Sequence, residues 1–291
     1  MSKIYINGEI VDEAAAKISV FDHGLLYGDG VFEGIRFYQG RVFELDAHIS
    51  RLFDSAHAIR LEIGMEPGPL SNVVLETIAA NELKDGYVRL LVTRGVGSLG
   101  LSPFLCEKAS IIVIASRISL YPEEKYRDGL SLITCASRRL TPGALSPNIK
   151  SLNYLNNVLA KIEAIDAGCE EGVMLNEQGY VAECTGDNIF IVKNGRISTP
   201  PVAAGSLNGI TRGVVMGIVG EMDYPLNEPM LTRYDVYTAD ECFLTGTAAE
   251  VIPAVLYDGR KIGRGVPGPV TLECIERFRA LAESSGTPIY N

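Results

Sequence analysis

Short apolar runs split by turn dipeptides occupy the chain from Ile4 to about Glu44. Asn7-Gly8 in YINGEIV and Gln39-Gly40 in FYQGRVF each predict a hairpin. Apolar residues then recur at helical spacing, at Ile49, Leu52, Phe53, Ala56 and Ile59, which predicts a helix capped by Asp46 and stopped by Gly64. A second helix is expected over Leu70–Glu82, and strands over Tyr87–Arg94 and Ser110–Ser116, where β-branched and aliphatic residues dominate. The polar stretch from Ile118 to Arg127, with Tyr121-Pro122 inside it, reads as a linker, after which Leu130–Cys135 opens a new strand. From Asn153 to Ala167, Leu155, Leu159, Ile162 and Ile165 fall on one side of an amphipathic helix ended by Gly168. Hairpins at MLNEQGYVAE and IFIVKNGRI, a helix near Thr211–Glu221, strands around CFLTG and VIPAVLYDGRKI, and a final helix near Pro269–Ser284 complete the pattern. The whole predicts a mixed α/β (α+β) fold of two lobes: a small N-terminal α/β domain over 1–118, a linker over 119–130, and a large C-terminal domain over 131–291.

Composition narrows the function. With 47% hydrophobic and 21% charged residues among 291, the chain can bury a sizeable core. Its net charge of −10 repels polyanions, so no nucleic-acid partner is expected, although one local phosphate site stays compatible with that balance. No apolar run approaches the roughly 20 residues of a membrane span, and a cytoplasmic protein without a membrane partner is expected. Six scattered cysteines without a C-x-x-C read as reduced thiols, and three histidines without H-x-x-x-H spacing give no metal site.

One motif points elsewhere. Gly95-Val96-Gly97-Ser98-Leu99-Gly100 matches G-x-G-x-x-G after a predicted strand, the pattern of a nicotinamide-dependent oxidoreductase. A dinucleotide fingerprint must open a helix that receives the pyrophosphate, whereas Pro103 and another strand follow here, so a tight loop is the better reading.

Lys150 in PNIKSLNYLNN is on its own one lysine among many; its company makes it informative. IKSLNYLNNVLAKIEA, EGVMLNEQGYVAECTGDNIFIV, LNGITR, LTGTAAEV and, near the start, FDHGLLYGDGVFEGIR occur in this order across nearly the whole chain. Together they resemble the branched-chain aminotransferase group of fold-type IV pyridoxal phosphate enzymes, with the D-amino-acid-aminotransferase-like fold. The resemblance implies that Lys150 holds the aldehyde cofactor pyridoxal 5′-phosphate as a Schiff base and later moves a proton. It implies that Tyr154, one turn further on the same helix, addresses the cofactor's phenolate oxygen, and that Glu183 pairs with its ring nitrogen, where a retained proton makes the ring an electron sink. The phosphate is expected on Gly209, Ile210 and Thr211 at a helix start, on Thr247, and on Arg51, which brings local positive charge.

Substrate contacts are implied for Tyr27, Phe32, Tyr87, Arg89, Thr247 and Ala248, with Val96 and Tyr121 as further apolar candidates. Tyr87 and Arg89, two apart on one strand, share a face. Arg89 is expected to bind the distal carboxylate of 2-oxoglutarate, and the resemblance implies ping-pong transfer between L-leucine, isoleucine or valine and that acceptor. A D-amino-acid or (R)-amine transaminase is the alternative, although no Arg-x-His follows Thr93-Arg94-Gly95. An aminodeoxychorismate lyase is less favoured, because the resemblance implies a different residue at Tyr154 in such enzymes, and a non-catalytic cofactor-binding regulator is disfavoured because Lys150, Tyr154, Glu183 and Thr211 are all intact. The family also implies a homodimer or higher homo-oligomer, in which residues near Tyr27–Arg36 complete a partner's site.

Overall fold

In the computed structural model, which describes residues 2–290, the strands gather into two sheets, each the centre of its own compact unit. The first unit comprises Met1–Ile118, Ile149–Asn153 and Ala282–Asn291. Its sheet is antiparallel throughout, in the order Thr287–Pro288, Arg41–Val42, Gly30–Tyr38, Gly86–Thr93, Ser110–Ser116, Lys3–Ile6, Glu9–Asp12. Both expected hairpins form, with positive φ at Asn7 and Gly8 and at Gln39 and Gly40, as a type I′ turn requires.

Two helices close the core of this unit. Leu45, Ile49, Leu52 and Ala56 on the helix Leu45–Ala58, and Leu70, Val74 and Ile78 on the helix Pro67–Ala80, pack with Val31, Ile35, Phe37, Leu90 and Val92 of the sheet. The first helix does not start on an Asp46 cap. Leu45 is drawn into the core and moves the helix start upstream, so Glu44 holds the cap position in a left-handed conformation and Asp46 lies in the first turn, where the helix dipole favours a carboxylate. Nor does Gly64 end it: the helix stops at Ala58, and Arg60 already has positive φ. The second helix begins at Pro67, before its apolar pattern does, because proline's missing N–H costs nothing at a helix start. A five-residue helix, His23–Tyr27, is too short to show a period; Asp22 Oδ1 caps it by accepting from Gly24 N–H at 2.8 Å.

The second unit, Ser119–Asn148 and Tyr154–Leu281, carries a nine-stranded sheet. Its order is Leu226–Asn227, Arg196–Ser198, Asn188–Lys193, Glu241–Gly246, Glu250–Tyr257, Leu130–Thr134, Glu171–Leu175, Val181–Cys184, with Arg260–Lys261 beside Glu250–Tyr257. Leu130–Thr134 runs parallel to both its neighbours, and the hairpins expected at MLNEQGYVAE and IFIVKNGRI are present.

The domain boundaries need three corrections. Residues 119–130 are no linker: they contain the helix Glu123–Asp128 and belong to the second unit, because Tyr121 and Tyr126 pack on its core and Lys125 pairs with Glu170. The C-terminal end returns to the first unit, where Thr287 pairs with Val42. Residues Ile149–Asn153 also belong there, through a bridge between Ser151 and Val31.

The expected helix is present as Leu155–Asp166. Its apolar stripe is turned to the surface: Leu155, Leu159, Ile162 and Ile165 are 47–69% exposed, while Asn157, Ala160 and Ala164 are buried. Small side chains let the helix lie close to its sheet, where Ala160 clusters with Cys135 and Met174. The glycine loop at 95–100 opens no helix; a short 3₁₀ turn at Pro103–Leu105 and the strand Ser110–Ser116 follow it. Among the described residues, no helix is long and apolar enough to cross a membrane.

Candidate active site

Lys150 does not sit on a helix. The segment around it is extended and lies along the start of the strand Gly30–Tyr38: Phe32 N–H donates to the Lys150 carbonyl at 3.0 Å and Leu152 N–H to the Gly30 carbonyl at 2.9 Å. On the other side, Lys150 N–H donates to Ser55 Oγ at 3.2 Å. Tyr154 is therefore not one turn along a shared helix. The helix begins at Leu155, Tyr154 occupies its cap position, and the chain has by then passed to the second unit.

The first unit brings four of the expected site residues together. The Lys150 ammonium lies 4.7 Å from the centroid of the Phe32 ring, and the Arg89 guanidinium also lies 4.7 Å from it and 5.5 Å from that of Tyr87. Strand register explains the grouping, since Gly34 pairs with Arg89 and Arg36 with Tyr87, so alternate residues of both strands share a face. Gly34 is needed there, because a Cβ would lie 1.9 Å from the Tyr87 hydroxyl. Tyr27 stands elsewhere: its hydroxyl donates to the Leu99 carbonyl and its ring meets His23 edge-on at 5.0 Å. Val96 bridges to Asp22, and Tyr121, in the second unit, donates to Glu171 Oε2 at 3.3 Å.

Arg51 reaches Glu33, a fully buried carboxylate. Its Nε and Nη2 donate to Glu33 Oε1 and Oε2 at 2.7 and 2.8 Å, and His48 Nδ1 lies 2.8 Å from Oε2. Burial alone raises the pKa of Glu33, but the hydrogen bonds and charges of His48 and Arg51 outweigh it and hold the carboxyl at about 2. Burial pushes His48 down; Glu33 pulls it up, and the positive charges of Arg51 and Lys150 add to the downward push. Arg51 was expected to bring local positive charge, and that charge is paired with the Glu33 carboxylate.

In the second unit, Glu183 lies on the strand Val181–Cys184 and is buried, not a surface charge. Its Oε2 accepts from Leu207 N–H at 3.0 Å and from Asn188 Nδ2 at 3.3 Å. Arg139 Nε lies 2.7 Å from Oε1, obliquely, so that the two meet as charges and not in an aligned hydrogen bond. Arg139 Nη1 donates to Asn157 Oδ1 at 3.0 Å, and Asn157 Nδ2 to the Thr185 carbonyl at 2.7 Å. Gly209 caps the helix Ile210–Glu221, whose first turn receives no side-chain cap; a Cβ at Gly209 would lie 2.0 Å from Asn188 Oδ1. Thr247 and Ala248 occupy the turn between Glu241–Gly246 and Glu250–Tyr257.

These residues fit the cofactor that the resemblance implies. A phosphate needs donors that nothing else occupies, and the leading amides of Ile210–Glu221 lack a capping side chain. The buried hydroxyls of Ser206 and Thr245 also have no hydrogen-bond partner, which suits a site built for a polar group. A ring nitrogen that must keep its proton needs an ionised carboxylate, and Arg139 stands against Glu183 to hold it so.

Reasoning from the sequence missed Glu33, His48, Gly34, Arg139 and Asn188. Glu33 carried a signal: it alternates with Val31, Ile35 and Phe37 on the inward face of an apolar strand, where a carboxylate needs a partner. His48 and Arg51 share a helix face with the core residues Leu45 and Leu52, a weaker signal of the same kind. Arg139 and Asn188 meet Glu183 only through the fold.

Comparison with known proteins adds independent observations. The family model described as amino-transferase class IV matches residues 30–257. A Methanocaldococcus jannaschii protein provisionally named branched-chain-amino-acid aminotransferase is 51% identical over 289 residues, covering 99% of each chain. The D-alanine aminotransferase of Staphylococcus haemolyticus is 36% identical, with 98% of this chain and 99% of that one covered. Among solved structures, the branched-chain amino acid aminotransferase of Escherichia coli superposes with a TM-score of 0.95 at 34% identity, covering 98% of this chain and 96% of that one. A second solved branched-chain amino acid aminotransferase, from T.th. and with pyridoxamine 5′-phosphate, superposes with a TM-score of 0.93 at 38% identity, covering 97% of this chain and 94% of that one.

The buried cluster predicts a pH dependence. Glu33 has a depressed pKa, so its contribution to stability is fully present above about 4.5 and is lost as pH falls toward about 2. At neutral pH, Glu33→Gln is expected to lower the unfolding free energy by about 3–5 kcal/mol, the usual cost of leaving a buried partner unpaired. Urea unfolding of both proteins at pH 7, 4 and 2.5 should show that difference shrinking with acid; an unchanged gap at pH 2.5 would contradict the ion-pair reading.

Proposed function

The chain belongs to the class IV aminotransferases, and we propose that it moves the amino group between branched-chain L-amino acids and 2-oxoglutarate by a ping-pong route, with pyridoxal 5′-phosphate as cofactor. The observation that carries this reading is the placing of two cations, Lys150 and Arg89, against one aromatic ring, Phe32. An apolar ring flanked by an amine and a guanidinium suits a substrate with an apolar side chain in one half-reaction and a second carboxylate in the other.

The bound cofactor supplies an electron sink that stabilises negative charge at the substrate's Cα. The chain's residues do the rest. Lys150 Nζ holds the cofactor's aldehyde carbon and later takes and returns the proton that leaves Cα. Tyr154 donates to the phenolate oxygen. Glu183 keeps a proton at the ring nitrogen, supported by its contact with Arg139. The first-turn amides of Ile210 and Thr211, the Gly209 approach, the Thr247 hydroxyl and the Arg51 N–H groups bind the phosphate. We assign Arg89, with Tyr87, to the substrate's distal carboxylate and the amides of Thr247 and Ala248 to its other carboxylate, with Phe32 as the apolar wall. Tyr27 has its hydroxyl engaged by Leu99, and we assign it to a partner subunit's site.

Working oligomers follow from the same reading. The exposed face of Leu155, Leu159, Ile162 and Ile165 suits burial against a second copy, since water contact of so many aliphatic side chains on one short helix is unfavourable. The proposed setting is the cytoplasm, consistent with six free thiols.

Three outcomes are expected. Borohydride reduction of the purified holoprotein followed by peptide mapping should place a pyridoxyl group on Lys150; a label on any other lysine, or none, would remove the central assignment. The similarity to a D-alanine aminotransferase keeps one rival in view. Assayed with 2-oxoglutarate, L-leucine should be turned over at least about 100-fold faster than D-leucine or D-alanine, a gap of about 2.7 kcal/mol, and the reverse order would mark a D-specific enzyme. Ile162→Glu should shift the sedimentation coefficient toward that of a monomer, whereas an unchanged boundary would place the interface elsewhere.

A further inference from the structure

Asn188 takes no part in the proposed chemistry, yet within the second unit it touches both Glu183 and the segment that leads to Gly209. The Cys184 N–H donates to the Asp187 carbonyl at 2.8 Å and closes a turn over Thr185-Gly186, with Glu183 and Asn188 on either side of it. Thr185 N–H donates to Glu171 Oε1 at 2.9 Å, which anchors that turn. Asn188 Nδ2 donates to Glu183 Oε2 at 3.3 Å and to the Leu207 carbonyl at 3.0 Å, and Leu207 N–H donates to the same Glu183 oxygen at 3.0 Å. Glu183, Asn188 and Leu207 are thus joined in a closed ring of hydrogen bonds. The amide oxygen fills the space beside Gly209, where a Cβ would lie 2.0 Å from it, and Gly209 caps the helix Ile210–Glu221.

We propose that Asn188 is the positioning residue for Glu183: its amide fixes the carboxylate against the Leu207 backbone, so that Glu183 keeps its place at the cofactor's ring nitrogen. The inference rests on the assignment of Glu183 to that nitrogen. Packing alone gives little reason for an amide here. Asn188 is buried, pairs with Thr245 across the strands and shares a sheet face with Phe190 and Phe243, whose rings stack at 5.0 Å, so an apolar residue would suit the position. What the amide adds is a pair of donors. Both groups it meets, a carboxylate oxygen and a carbonyl, are acceptors, which sets its N–H₂ toward them and its oxygen toward Gly209. An aspartate would have the same shape, but it would set acceptor against acceptor and place a second negative charge beside Glu183. Arg139 meets the other carboxylate oxygen, Oε1, so Asn188 and Leu207 supply the constraint at Oε2.

The test uses the full-length holoprotein, reconstituted with pyridoxal phosphate carrying nitrogen-15 in its ring, whose resonance reports whether that nitrogen is protonated. Glu183→Gln is the reference and should move the resonance toward its unprotonated position at pH 7. Asn188→Ala should move it the same way by a smaller amount, and the double variant no further than Glu183→Gln alone. In single-turnover measurements with L-leucine, Asn188→Ala should slow the half-reaction about tenfold in the wild-type background, the worth of a charged hydrogen bond, and within about threefold in the Glu183→Gln background. If Asn188→Ala does not fold, Asn188→Ser, which keeps a hydroxyl donor on a shorter side chain, should move the resonance in the same direction. Should Glu183→Gln move the resonance while the Asn188 variants leave it in place, or slow the half-reaction equally in both backgrounds, Asn188 is a structural residue only. Should Glu183→Gln itself leave the resonance unmoved, the assignment of Glu183 fails, and the inference with it.

Discussion

The backbone hydrogen bond from Phe32 N–H to the Lys150 carbonyl is the constraint on which the first unit's cluster of Lys150, Phe32, Tyr87 and Arg89 depends. Lysine side chains are long and have many rotamers, so the position of a reactive ammonium is only as definite as the backbone that carries it. Here that backbone lies along a central strand, with Leu152 bonded to Gly30 and Ser151 bridged to Val31. The strand is buried along nearly its whole length and its register with Gly86–Thr93 is continuous. Phe32, Tyr87, Arg89 and Lys150 therefore meet by β-sheet geometry, in which alternate residues share a face, and not by adaptable loops.

Both units handle buried charge by compensation. Glu33 is balanced by Arg51 and His48; Glu183 is balanced by Arg139, with further donors from Leu207 and Asn188. For Glu33, burial by itself raises the pKa, and its partners reverse that shift. The two networks differ in what they present. Around Glu33, two nitrogens of Arg51 and one of His48 meet both carboxylate oxygens. Around Glu183, one oxygen meets Arg139 and the other accepts from a backbone amide and the Asn188 side chain. A net charge of −10 is thus compatible with local sites whose charges are paired within the fold.

Much of the architecture was legible in the amino-acid pattern. Hairpins at Asn7-Gly8 and Gln39-Gly40, the strand Ser110–Ser116, the final helix Pro269–Ser284 and the rejection of the glycine loop as a dinucleotide site all followed from local rules, because turn chemistry and period act over a few residues. The motif order across the chain pointed to the family, and the match to class IV aminotransferases over residues 30–257 agrees with it. Periodicity also located the helix Leu155–Asp166, but not which of its faces meets the core. Hydrophobic spacing reports that a face avoids water; it does not say which neighbour covers it.

Tertiary structure alone decided which residues stand beside one another. Nothing local to Glu33 names Arg51, 18 residues away, and nothing local to Glu183 names Arg139. The return of the C-terminal end to pair with Val42, and of Ile149–Asn153 to lie along Gly30–Tyr38, were equally invisible. The sequence by itself determined the elements, the family and the candidate chemistry of Lys150, since propensity, turn geometry and motif spacing are properties of neighbouring residues. Only the folded chain decided that Lys150 lies in an extended segment beside the strand Gly30–Tyr38, and that Arg51 is paired with a carboxylate. Those facts depend on sheet register and on the burial of charge, which arise when distant segments pack.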